Sequence, residues 1–247
     1  MRWSRLVKST VVVATFGATA CSNSSSPNNR PVTLSFSSQS TGTLATADRA
    51  PANDITVTVG QNTVVITKAQ VVIRKMELKQ SATTTCPDDD QSHEDCNELK
   101  LGPMLVDLPL TATASTAITA AVPQGTYNEI EFQVHRPTNA TGDATFAAAN
   151  PNFANASIRV EGTYNGAAFV FTSLLSQSVE LEFNPPVVIN ADNKNITVAL
   201  DINSWFKVNG VVINPTTANP GQPNEQAVTQ NIKASLHAFE DDDRNGR

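Results

Sequence analysis

Short runs that alternate apolar and polar residues, each closed by a turn signal, recur along this chain and restrict it to a β-rich fold. Residues 158–164 read Ile-Arg-Val-Glu-Gly-Thr-Tyr, with Ile158, Val160 and Tyr164 on one parity. A strand sends successive side chains to opposite faces, so such a run has one face for a core and one for solvent. Asn165–Gly166 follows, a dipeptide suited to the positive φ values of a two-residue hairpin turn. Phe169 and Phe171 then return on the partner strand. The pattern repeats with Val179, Leu181 and Phe183 against Glu180 and Glu182, and with Ile196, Val198, Leu200 and Ile202. In another run Ile130, Phe132 and Val134 share one face, and Glu129, Glu131, Gln133 and His135 the other.

Weaker signals of the same kind fill the first half. Val32, Leu34 and Phe36 alternate, as do Ile55, Val57 and Val59 ahead of a turn at Gly60–Gln61–Asn62. Residues 71–78 are a long β-rich run with Lys75, Glu77 and Lys79 on one face. A strand at 104–108 leads into a Thr/Ala/Ser-rich stretch that reads as a link, and Asn209–Gly210 marks a second hairpin. Together these predict a mainly β fold, an antiparallel β-sandwich. Val228, Ile232, Leu236 and Phe239 instead fall at helical spacing, predicting one C-terminal amphipathic helix over 224–239. Residues 144–149 suit a single helical turn.

The N-terminus has a different character. Arg2, Arg5 and Lys8 precede a short apolar run that ends in Ala18–Thr19–Ala20–Cys21. A basic start, an apolar centre and small residues before the cut form an export signal. The cysteine just after the cut resembles a bacterial lipobox, with Ala18 where leucine is usual, so Cys21 is the expected lipidation site. A plain signal peptide leaving a free Cys21 thiol is the alternative. The apolar run is about half of the ~20 residues that cross a bilayer. The domain layout expected is a lipoprotein signal at 1–20, a Ser/Asn-rich tether at 21–31, the sandwich at 32–214, and a linker, helix and acidic tail at 215–247. Ser22, not aspartate, follows the cysteine, which favours an outer-membrane lipoprotein facing the periplasm or the cell surface.

Charge narrows the partners. Removing residues 1–20 takes three basic side chains of 17 and no acid, leaving 14 against 23 acidic ones, a net charge of −9. Such a surface repels phosphate backbones, so no nucleic-acid partner is expected. Attachment to a membrane must come from the lipid. Of the three cysteines, Cys86 and Cys96 remain as an expected disulfide, since exported proteins keep such bonds.

Few residues suggest chemistry. Residues 87–95 hold five carboxylates, which suit either a solvated loop or a hard cation. Asp241, Asp243 and Asn245, followed by Gly246, fit the opening of a calcium loop whose distal carboxylate is missing. Calcium is thus the one cofactor expectation, against a solvated tail. The histidines, His93, His135 and His237, lie in no zinc-type spacing, and His135 reads as a surface residue. Trp205 beside Phe206 suits a sugar-stacking platform or, more commonly, core packing. No nucleophile-elbow, P-loop or dinucleotide motif occurs, so no catalytic residue is named.

Several stretches resemble a family of exported bacterial lipoproteins known only as a domain of unknown function. They are Val106–Asp107–Leu108, the Val122–Pro123–Gln124–Gly125–Thr126–Tyr127 turn leading into Ile130–Glu131–Phe132, residues 157–162, and residues 238–243. The Pro-x-Gly-x-Tyr turn is also similar to transthyretin-like and carbohydrate-binding-like sandwiches. The resemblance implies a β-sandwich on a lipid anchor and carries over no catalytic residue. The function expected is a non-enzymatic envelope lipoprotein that binds an envelope glycan or protein partner. The alternatives are a structural or assembly component and, third, an envelope hydrolase.

Overall fold

The computed structural model describes residues 29–38, 54–80, 96–100, 102–111, 113–138, 140–190 and 194–245. Their strands are β1 (Asn29–Ser37), β2 (Ile55–Val59), β3 (Asn62–Lys79), β4 (Cys96–Lys100), β5 (Met104–Asp107), β6 (Ser115–Pro123) and β7 (Gly125–Val134). After the short helix α1 (Ala144–Ala149) come β8 (Ile158–Tyr164), β9 (Ala167–Ser173), β10 (Gln177–Ile189) and β11 (Lys194–Leu200). Helix α2 (Ile202–Trp205), β12 (Lys207–Val208), β13 (Val211–Val212), helix α3 (Glu225–Ala234) and β14 (Leu236–Glu240) complete the chain.

Strand β3 organises the larger sheet. Along one side β8 pairs with its first half and β7 with its second; along the other lie β2, β5 and β4 in turn. β9 and β10 form the outer strands of the order β10-β7-β3-β8-β9. The smaller sheet has the order β14-β11-β1-β6, with β1 and β11 parallel and its other pairs antiparallel. The antiparallel-dominated β-sandwich expected from the alternation is therefore the fold. Its core lies between the sheets and includes Leu34, Phe36, Ile73, Ile130, Phe132, Phe171, Ile196 and Val198. Each such side chain contributes about 1.5–3 kcal/mol through removal from water.

A bulge keeps β3 in phase with this core. Val71 and Ile73 are buried in it, and so are Met76 and Leu78, an odd step later. Lys75 absorbs the extra residue at φ 53°, where the register with β7 shifts between Arg74 and Glu77. A second irregularity lies between Ile66 and Lys68, opposite Gly162. A Cβ at Gly162 would stand 1.9 Å from the Val65 carbonyl oxygen, so only glycine fits this approach. The predicted turns form as expected. Asn165 and Gly166 have φ 49° and 83°, and Asn209 and Gly210 have 51° and 78°.

Three boundaries differ from the sequence expectation. Residues 29–31, assigned to the tether, pair with β6 as the start of β1. Pro31 is tolerated because β11 joins β1 only from Val32, so one neighbour is present there. The Thr/Ala/Ser-rich stretch read as a link contains β6, whose small residues lack a strong apolar stripe yet pair along β1. Helix α3 stops at Ala234, not near 239, and Leu236 to Glu240 pair with β11 as β14. The chain therefore returns to the sandwich past 214, and the expected division there is not a structural one. Val228 and Ile232 dock α3, both fully buried. Ile232→Ala is expected to cost about 2–4 kcal/mol in urea melts; a change within error would mean that this helix face contributes no packing.

Candidate functional site

The outward face of β7 was expected to meet water, but much of it is buried. Its alternation places Glu129 and Glu131 opposite the apolar face, and both are buried. Register brings Lys79 of β3 opposite Glu129, and Glu77 opposite Glu131. On the other side of β7, Glu180 of β10 lies opposite Glu131 and Glu182 opposite Glu129. Like charges in direct cross-strand register repel, so this face needs a cation.

Lys79 supplies it. Its Nζ lies 2.7 Å from Glu129 Oε1, 2.7 Å from Glu131 Oε2 and 3.5 Å from Glu180 Oε1. The lysine side chain is 4% exposed, whereas that of Glu180 is 61% exposed and reaches in from the sheet margin. Burial alone would push the ammonium pKa down, but the Glu129 and Glu131 carboxylates outweigh it and hold it above the ordinary lysine range. One oxygen from each of Glu129, Glu131 and Glu180 lies within 4.8 Å of the others. Oxygen ligands of this kind suit a hard cation, yet the lysine ammonium already holds contact with all three.

A second buried polar group lies where β7 ends. His135 and Asp143 are both buried, with His135 Nε2 2.9 Å from Asp143 Oδ1. Asp143 Oδ2 accepts from the Thr138 backbone N–H at 2.8 Å and from Thr138 Oγ1 at 3.1 Å. Arg74 stands 4.0 Å from the same carboxylate. Burial alone would push the Asp143 pKa up; the Thr138 amide and then His135 outweigh it, and the carboxyl sits below its ordinary value. His135 is therefore not the surface histidine that its place on a polar strand face suggested. No local signal linked it to an aspartate eight positions on, because the pairing depends on how the intervening loop folds back.

The structure does gather Asp241, Asp243 and Asn245, the expected calcium ligands, at the end of β14. Asp241 is buried, and its Oδ2 accepts from Thr197 Oγ1 at 2.9 Å while Oδ1 accepts from the Asn245 N–H at 3.0 Å. Asn245 Nδ2 donates to Asp243 Oδ2 at 2.7 Å. These oxygens thus cap a turn through protein donors. Asp242 points elsewhere and binds Lys194 Nζ at 2.8 Å, beside a second Lys194 contact from Glu240. Trp205 and Phe206 lie in the core rather than on a stacking surface: Trp205 Nε1 donates to Ser235 Oγ at 2.8 Å, and Phe206 meets Phe171 edge-on at 5.1 Å. Cys21, Cys86 and the acidic loop at 87–95 lie outside the described residues, while Cys96 opens β4 opposite Lys79.

No protein-family model matches this sequence, and no curated protein does. Among solved structures, MbnP from Methylosinus trichosporium is similar, with 11% sequence identity and a TM-score of 0.45 over 86% of this chain and 99% of that one.

Proposed function

We propose that this chain is a lipid-anchored outer-membrane lipoprotein whose β-sandwich binds an envelope glycan or protein partner without catalysing a reaction. The observation that carries the reading is a spacing. Cys21 closes an export-type signal, and Asn29, where β1 begins, follows eight positions later. Extended, that segment reaches about 26 Å, enough to hold the domain at a membrane surface. The buried titratable groups also favour binding over chemistry. Lys79 is shared among three carboxylates, and Asp143 is held by His135 and Thr138, so these groups stabilise the fold.

Labelled palmitate fed to a Gram-negative host expressing the full chain is expected to enter the protein and to be lost in Cys21→Ser. Unlabelled wild type, or equal label in both, rejects the anchor. A glycan array and an envelope pull-down with the mature domain test the binding half. A structural or assembly role is the second reading. It is favoured by β6, an outer strand of the smaller sheet with no charged residue along its length, since uncharged strand margins template further pairing.

A further inference from the structure

We propose that residues 136–138 and 140–156 form an acid-sensitive flap, held closed on the sheet by Asp143 and able to open as one unit. The flap starts and ends on a single residue of β3. Val72 O accepts from His135 N at 2.9 Å, and Val72 N donates to Ser157 O at 2.7 Å. The chain leaves the sheet after His135 and rejoins it at Ser157, so the intervening residues can move while both attachments stay paired. Compact loops with closely spaced ends commonly behave as separate units.

Little else holds the flap down. None of the six side chains of α1 is buried. Pro137, Phe153 and Ala156 are buried, but Phe153 and Ala156, like Val72 beneath the loop ends, lie outside the main core. Opening the flap would therefore expose a small apolar surface and leave the sandwich packed. Asp143 is the only ionisable side chain between Arg136 and Arg159. The charged and titratable groups that face it are His135 at 2.9 Å and Arg74 at 4.0 Å. Through Thr138 it also ties the first arm of the flap to its own backbone.

The sign of the pH response follows from this geometry. Asp143 sits below its ordinary value of 3.8 in the fold, so its stabilisation is present above that value and is lost as pH falls through the folded value. The flap is closed at neutral pH and released in acid. This inference is independent of the lipid anchor and of any partner.

Hydrogen exchange of the exported protein tests it, read as protection factors that remove the intrinsic pH dependence of exchange. At pH 7, Asp143→Asn should lower protection across the flap roughly 10- to 100-fold, the range for hydrogen bonds to a charged group. Protection in β1 and β11 should not change. Wild type should show the same flap-confined loss only below about pH 4, and D143N should show no such step. Wild-type protection in D143N at pH 7, or a loss spread across the sandwich of a folded D143N protein, overturns the proposal. If D143N does not fold, Thr138→Val decides, because it removes one donor and keeps the backbone one. A flap-confined loss of about 3- to 10-fold then supports the flap, and unchanged protection rejects it.

Discussion

Lys79→Met should lower the melting temperature by roughly 6–20 °C. The substitution removes the ammonium from between Glu129 and Glu131 and leaves two buried carboxylates without their cation. Breaking a buried ion pair from one side costs about 3–5 kcal/mol, because the remaining charge keeps its desolvation penalty. Adding Glu129→Gln and Glu131→Gln should recover most of the loss, since the triple variant buries no net charge. Glu180→Gln alone should change stability by less than about 1 kcal/mol, because that carboxylate is largely solvated. The pH dependence has a definite sign. Lys79 is raised in the fold, so its contribution is complete below the ordinary value of 10.5 and fades as pH climbs through the folded value. The gap between wild type and Lys79→Met should hold from pH 6 to 9 and close in strong alkali. A variant melting within about 1 °C of wild type would show that the cluster carries no net stabilisation.

Trp205→Ala is the second large effect, expected at about 3–5 kcal/mol. The ring is fully buried in the core, and its N–H is bound by Ser235, whose hydroxyl in turn donates to Ile232 O at 2.7 Å. Truncation leaves a cavity and breaks the link between α2 and the end of α3. Trp205→Phe should cost less than alanine but still leave the Ser235 hydroxyl short of a partner. Tryptophan fluorescence from the core is lost with the residue, so far-ultraviolet circular dichroism in urea is the readout. A loss below 1 kcal/mol would place the ring at the surface after all, as a stacking platform requires.

The two buried polar groups were only partly legible in the sequence. Alternation put Glu129, Glu131 and His135 on one face of β7 and Lys75, Glu77 and Lys79 on one face of β3. It did not reveal that these strands are neighbours, or that Lys79 falls opposite Glu129. Register is a relation between strands, and no property of a single run specifies it. Asp143 carried even less signal, as a lone acid in a stretch rich in alanine and asparagine. The calcium motif was legible, but the burial of Asp241 was not, because the donor that meets it, Thr197, comes from the neighbouring strand.

By itself, the sequence determined the β-rich class, the apolar face of most strands, the Asn-Gly turns and the helical nature of residues 225–234, because period and turn chemistry act over a few residues. Tertiary structure alone decided which polar faces are buried and whether residues 236–240 are helix or strand. Leu236 and Phe239 satisfy a helical spacing, yet β11 offers an unpaired strand margin there, and its hydrogen bonds outweigh one further helical turn. Period 2 defines two faces of a strand but cannot say what lies over either one. That depends on strands joined by register across the chain, as Lys79 is to Glu129.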